Sequence, residues 1–203
     1  MAVSGDTAVV GTRLTQQMSP SAYVFVYDGT TWQEQAKLDA GGAVGISGDT
    51  IVVGDQVFVR NGTTWLFQSQ LIASNADTND FFGRSVAISG DTIVVGAVLE
   101  DGSSQAINGV SHQNSTDAGA AYVFVRTGVT WSQEAYLKGS DVIAGDWFGY
   151  SVAVEDDAVL VGAPEKTVAS RDAAGKSYVF VRNGSVWTEQ ATLVAPAGVF
   201  SGR

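Results

Sequence analysis

Val86-Ala87-Ile88-Ser89-Gly90-Asp91-Thr92-Ile93-Val94-Val95-Gly96 reads as two short strands rich in Val and Ile on either side of a Gly-Asp turn. The same pattern stands at Ala2 to Gly11, at Val44 to Gly54 and at Val152 to Gly162, so the chain repeats one unit four times. Each copy continues with a third strand: Tyr23-Val24-Phe25-Val26, Gln56-Val57-Phe58-Val59, Tyr122-Val123-Phe124-Val125 and Tyr178-Val179-Phe180-Val181. A turn with glycine second follows (Asp28-Gly29, Asn61-Gly62, Thr127-Gly128, Asn183-Gly184). A fourth strand opens at Trp32, Trp65, Trp131 or Trp187 and places Leu38, Leu71, Leu137 or Leu193 six residues on. No helical period is present.

The second and third strands are continuous apolar runs, as expected where both sheet faces are covered. The fourth alternates, with Trp131, Gln133, Ala135 and Leu137 on one face and Ser132, Glu134 and Tyr136 on the other, which suits an outer edge. A four-stranded sheet buried at its centre and wetter at its last strand is a propeller blade, and radial repetition protects its edges. A β-sandwich of about sixteen strands has no need to repeat one four-strand unit. The expectation is an all-β chain: a β-propeller of four four-stranded antiparallel blades over residues 1–38, 43–71, 85–137 and 151–193. The alternatives are part of a larger propeller, or two chains forming an eight-bladed ring. Ser47-Gly48-Asp49-Thr50 and its copies suit type II′ turns, Asn61-Gly62 and Asn183-Gly184 type I′. Phe200 lies as far ahead of Asp6, reading the tail onto Met1, as Phe82 lies ahead of Asp91. That register predicts that residues 199–203 close the ring.

Composition narrows the function. Apolar residues make up 45% of the 203 and charged residues 16%, which excludes a disordered chain and allows a sizeable core. The net charge of −10 argues against nucleic acid and anionic membranes as partners. With no cysteine there is no disulfide scaffold, thiolate metal site or cysteine nucleophile, and the single histidine, His112, cannot build a histidine metal centre. The apolar runs are too short to span a bilayer, and the first residues do not read as a signal peptide.

Phe148-Gly149 followed by Gly162-Ala163-Pro164 resembles the FG-GAP repeat that names the propeller of integrin α subunits. Phe82-Gly83 with Gly96-Ala97 is a second copy without the proline, while the second repeat keeps Gly41 and Gly54 but lacks the Phe and the Ala. The third-strand and Trp motifs look more like the FG-GAP proteins of bacteria. The resemblance implies a propeller, an extracellular or cell-surface setting and an adhesion or lectin-like role. It also implies a calcium loop of the form Asp-x-Asp-x-Asp-Gly between the first two strands. Here that loop has shrunk to a turn holding one acid, Asp6, Asp49 or Asp91, and one carboxylate cannot encircle an ion that takes six to eight oxygens. Glu155-Asp156-Asp157 would splay along the strand. No cofactor is expected, and calcium only if another loop supplies it. Asp77, Asn79 and Asp80, like Asp141 and Asp146, read as polar turn residues before Phe-Gly.

The variable segments all lie between the second and third strands: Thr12 to Ser21, Asp55, Val98 to Gly119 and Pro164 to Lys176. The links from fourth to first strand emerge on the same face, opposite the uniform turns. A rigid scaffold with one variable loop face is a common binding surface. The third-repeat insertion offers Asp101, Asn108, His112, Asn114 and Asp117, and the fourth offers Arg171 and Asp172. Trp147 stands outside the repeat tryptophan register, which reads as blade packing, and is the candidate exposed aromatic. These residues predict a non-enzymatic binding or adhesion module taking a protein or glycan ligand, as a monomer or a homodimer. The alternative is a carbohydrate-active lyase or hydrolase using Asp101 with Asp117 or Asp172 as a carboxylate pair.

Overall fold

Among the described residues sixteen strands form in sequence order, and within each of four sheets consecutive strands pair antiparallel. The structure, a computed structural model, describes residues 1–12, 20–75, 77, 79–109 and 114–196. Blade 1 holds β1 (Ala2–Ser4), β2 (Thr7–Gly11), β3 (Ala22–Tyr27) and β4 (Trp32–Leu38). Blade 2 holds β5 (Val44–Ser47), β6 (Thr50–Val53), β7 (Gln56–Asn61) and β8 (Thr64–Gln70). Blade 3 holds β9 (Phe82–Ser89), β10 (Thr92–Ala97), β11 (Ala120–Thr127) and β12 (Thr130–Leu137). Blade 4 holds β13 (Ser151–Glu155), β14 (Ala158–Ala163), β15 (Lys176–Asn183) and β16 (Val186–Leu193). This is a β-propeller of four four-stranded antiparallel blades, ordered by simple up-and-down hairpins.

Three apolar clusters hold the blades together, one at each junction. Val9, Val24 and Leu38 of blade 1 meet Ile51, Val53, Phe58 and Trp65 of blade 2. Val52, Val57 and Leu71 then meet Ile93, Val95, Phe124 and Trp131 of blade 3, and Val94, Val123 and Leu137 meet Val159, Val161, Phe180 and Trp187 of blade 4. Every blade thus has a leading face carrying the third-strand Phe and the repeat Trp, which in blades 2, 3 and 4 is turned toward the blade before it. Its trailing face carries Val and Leu. The inner strands pack β1 on β5, β5 on β9 and β9 on β13, whereas β13 and β1 make no comparable contact among the described residues. Phe82 and Phe148 pack edge-on to Tyr122 and Tyr178, with ring centroids 5.5 and 5.2 Å apart, inside the junction clusters; Ala40 fills that place in blade 2. Gly149 (φ 86°) must be glycine, because a Cβ there would lie 2.1 Å from the Ala120 carbonyl oxygen.

Four expectations need correction. The β7–β8, β11–β12 and β15–β16 loops put glycine first, not second: Asn61 pairs with Thr64, Thr127 with Thr130 and Asn183 with Val186, leaving Gly62, Gly128 and Gly184 to open two-residue loops. Only the glycine has positive φ there, so the turns are not type I′. Strand-four alternation is interrupted in every blade by a bulge, between Val24 and Phe25 of the partner strand and at the equivalent steps in blades 2, 3 and 4. Trp131 and Tyr136 consequently share the leading face, while Ala135 and Leu137 are on the trailing face. Full coverage of the second strand holds in blades 2 and 3, where β6 and β10 are buried throughout; β14 alternates exposed and buried because, among the described residues, no blade covers its trailing face. In blade 3 the Phe-Gly pair lies inside the first strand, which begins at Phe82 rather than at residue 85. Phe200 and residues 199–203 lie outside the described residues.

Candidate functional site

The β1–β2 type turns are occupied in folding. Asp49, Asp91 and Asp157 ion-pair with Arg60, Arg126 and Arg182 (3.3, 2.5 and 2.7 Å), and their carbonyls accept from the same arginines' amides. Each guanidinium also covers the repeat tryptophan of its blade at 4.7 to 5.3 Å. One acid per turn thus serves as a clasp for an arginine. Among the described residues, no three His, Asp or Glu side chains converge as metal ligands.

The opposite, long-loop face is built on two polar networks, the first centred on a fully buried ion pair and the second partly buried. In blade 3, Lys138 and Glu100 are fully buried and 2.7 Å apart; Lys138 also donates to the Gly119 carbonyl, and Tyr136 Oη and Asn75 Nδ2 donate to Glu100 (3.1 and 2.9 Å). Burial disfavours the charged form of Lys138 and lowers its pKa, against the opposing pull of Glu100. Tyr122 Oη donates to Asn75 at 2.8 Å, and burial raises its pKa. In blade 4, Lys166 pairs with Asp146 at 2.9 Å and Lys176 with Asp141 at 2.8 Å, and Tyr178 donates to Asp141 at 2.6 Å. Partial burial raises the Asp141 carboxyl, but the Lys176 and Tyr178 hydrogen bonds outweigh it and hold it below its usual range. These networks root the insertions of repeats three and four.

The insertion residues singled out from the sequence serve that anchoring. Asp101 Oδ1 accepts from the Asp117 amide at 2.8 Å, and the Asp101 carbonyl accepts from the Ser115 amide at 2.8 Å. Asn108 Oδ1 accepts from the Tyr136 amide at 2.8 Å, and the Asn108 amide donates back to the Tyr136 carbonyl at 2.9 Å, so Asn108 continues the edge of β12. Asn114 is exposed, and His112 lies outside the described residues. Trp147 is half-buried, and its amide donates to the Asp117 carbonyl at 3.3 Å. Asp101, Asp117 and Trp147 are therefore brought together. Arg171 closes a one-bridge turn with Val168, and Asp172 accepts from Thr167 at 3.3 Å; among the described residues neither bonds to the others. Asp77, Asn79, Asp80 and Asp146 close turns as expected, through the Asp77, Asn79 and Ile143 amides at 3.0, 3.4 and 2.7 Å.

Sequence reasoning missed the surface beside Trp147. Its indole stacks on Tyr150 (6.2 Å, planes 8° apart), and Arg84 lies 4.8 Å over the other ring of this pair, Tyr150. Arg84 and the exposed Phe81 then line a cleft of about 650 Å³ whose floor includes Gly42, Gly54, Asp55 and Gly83. The result is one track, Phe81–Arg84–Tyr150–Trp147, from this cleft to the start of the fourth blade. The signal was present in the register: Asp80-Phe81-Phe82-Gly83-Arg84 aligns with Asp146-Trp147-Phe148-Gly149-Tyr150. In both copies the aromatic before Phe-Gly has positive φ (Phe81 54°, Trp147 57°), which turns it outward while the next Phe goes into the core.

A family model for the FG-GAP repeat matches residues 65–124 and 131–180, together more than half of the chain. No curated protein matches it. Among solved structures it is similar to the N-terminal domain of Nup159, at 10% identity and a TM-score of 0.44, over 92% of this chain and 45% of that one. The chain thus spans less than half the length of that domain.

Proposed function

The chain belongs to the FG-GAP repeat family, and from that premise we propose that it is a non-enzymatic binding module whose protein or glycan ligand meets the long-loop face. The observation that carries this reading is the Phe81–Arg84–Tyr150–Trp147 track, with Phe81 and Tyr150 exposed and Arg84 and Trp147 half-buried, beside a glycine-lined cleft. Flat aromatic faces take sugar rings or apolar peptide side chains, and Asp55 and Arg84 add polar handles at the rim. Buried ion pairs beneath hold the surface rigid, which lowers the ordering cost of binding. The reading carries with it an extracellular or cell-surface setting and an adhesive role. Asp101 is a poor partner for a carboxylate pair, because its Oδ1 is engaged by the Asp117 amide.

Glycan and peptide arrays, followed by calorimetry on each hit, test the proposal. Trp147→Ala and Tyr150→Ala should weaken a hit about tenfold or more, while Gly62→Asn on the opposite face leaves it unchanged. Loss through the opposite turn alone, or turnover of any polysaccharide, would overturn it.

A further inference from the structure

The two outermost faces of the blade array are the two halves of a junction the molecule already makes three times. On the leading face of blade 1, Val3, Val10 and Trp32 are 66%, 37% and 48% exposed, yet they hold the places of Ile88, Val95 and Trp131 in blade 3. On the trailing face of blade 4, Leu160 and Leu193 are 38% and 52% exposed, in the places of the fully buried Val94 and Leu137. Both faces keep the shape and chemistry of buried ones.

Their polar fittings match as well. At each internal junction the repeat Trp donates its indole N–H backward, Trp65 to Gln35, Trp131 to Gln68 and Trp187 to Glu134, at 2.8 to 2.9 Å. Each acceptor is the extra residue of the strand-four bulge. Blade 4 carries the same bulge with Gln190 as its extra residue, exposed, while among the described residues Gln190 faces no Trp and Trp32 of blade 1 faces no acceptor. A second fitting joins the Gly48, Gly90 and Asp156 amides to Ser4, Ser47 and Ser89 (3.1, 3.1 and 3.3 Å); the unmatched ends are the Gly5 amide and Glu155, again a donor and an acceptor.

The third fitting is peculiar to these two faces. Internally an arginine reaches back to a threonine, Arg60 to Thr7, Arg126 to Thr50 and Arg182 to Thr92. At the open faces both members are changed: Tyr27 replaces the arginine and Ala158 the threonine. Ala158 offers no hydroxyl to an ordinary blade's arginine, but it suits the Tyr27 ring, which packs on Trp32 at 5.4 Å. Within one chain β13 and β1 make no comparable contact among the described residues, and from these observations together we infer that blade 4 of one copy docks on blade 1 of a second copy of this chain. Two such contacts about a two-fold axis close an eight-bladed ring.

Light scattering and sedimentation of the full chain test this. A particle of twice 21.1 kDa is expected, and a monomer at high protein concentration overturns the inference, whether its faces close on each other or serve another protein. Val10→Asp and Leu160→Asp alter solvent-facing residues, so each should yield a folded monomer. Mixed together they retain one intact pair of faces and should form a one-junction heterodimer; failure to do so, or a dimer that survives either change, contradicts a blade-4-to-blade-1 contact. Trp32→Phe, which keeps the ring but removes the indole donor, should raise the dimer Kd about tenfold.

Discussion

Blade 3 and the two outer blades are built from one repeat, yet among the described residues blade 3 is covered on both sides and each outer blade on one. Its second strand, β10, is buried along its whole length, whereas β14 of blade 4 shows every other residue to solvent and β2 of blade 1 is nearly as open. The sequences of these strands hardly differ: Thr92-Ile93-Val94-Val95-Gly96 against Ala158-Val159-Leu160-Val161-Gly162. Position in the array, rather than residue type, decides burial. In a repeat protein the stabilising unit is the interface between neighbours, so an exposed apolar face marks a missing neighbour.

The largest expected effects set a covered tryptophan against an open one. Trp131→Ala removes an indole clamped between Arg126 and the blade 2 bulge, and should cost about 3–5 kcal/mol in urea unfolding. Trp32→Ala, measured in the monomeric Leu160→Asp background, should cost less than about 1 kcal/mol. Equal losses would mean that blade 1 is covered in solution. Close behind comes the buried pair. Glu100→Ala strands Lys138 without its counter-ion and should destabilise by about 3–5 kcal/mol, while a Glu100→Met, Lys138→Met double change should recover most of that. If the double variant is as unstable as the single one, the pair is not what roots the insertion.

A smaller effect is tied to pH. Burial pushes the Asp80 carboxyl up to about 6, so the folded chain takes up a proton more readily than the unfolded one. The stability this group contributes is fully present below the ordinary value of 3.8 and is lost as the pH rises through about 6. Between about pH 7.5 and about pH 4.5 the native chain should therefore gain melting temperature over Asp80→Asn. Parallel curves for the two proteins would place Asp80 in water. The smallest effect concerns Asp156, which has φ 48° where Gly5, Gly48 and Gly90 stand in the other blades. Asp156→Gly should stabilise blade 4 by about 0.5–1 kcal/mol in the same unfolding assay, through relief of the left-handed backbone. A loss would assign the Asp156 side chain a contact worth more than that strain.

Blade number and strand order were legible because four copies of one pattern average out local ambiguity. The bulges were not. A period-2 reading carries Trp131 and Leu137 onto one face, and nothing in Gln133-Glu134-Ala135 announces the extra residue that separates them. The turns misled for a related reason: Asn-Gly signals type I′ only when it occupies the two loop positions, and here Asn61 and Asn183 are still in the ladder. At the candidate site, Trp147 was legible as an aromatic out of register. Arg84 and Tyr150 were missed because their contact joins β9 to the start of blade 4, a long-range pairing that spacing does not reveal. Glu100 and Lys138 were hidden the same way, buried as a pair 38 positions apart.

The most direct test of the account watches the indole N–H groups themselves. With nitrogen-15 on the five tryptophans, solvent exchange can be followed for each indole separately. Trp65, Trp131 and Trp187 donate across internal junctions and should be protected under all conditions. Trp32 should exchange rapidly in the Leu160→Asp monomer and become protected in the native chain as concentration rises. Protection of Trp32 that is independent of concentration and persists in the Leu160→Asp variant, or free exchange at every concentration in the native chain, would contradict the claim that the outer faces are two halves of one junction.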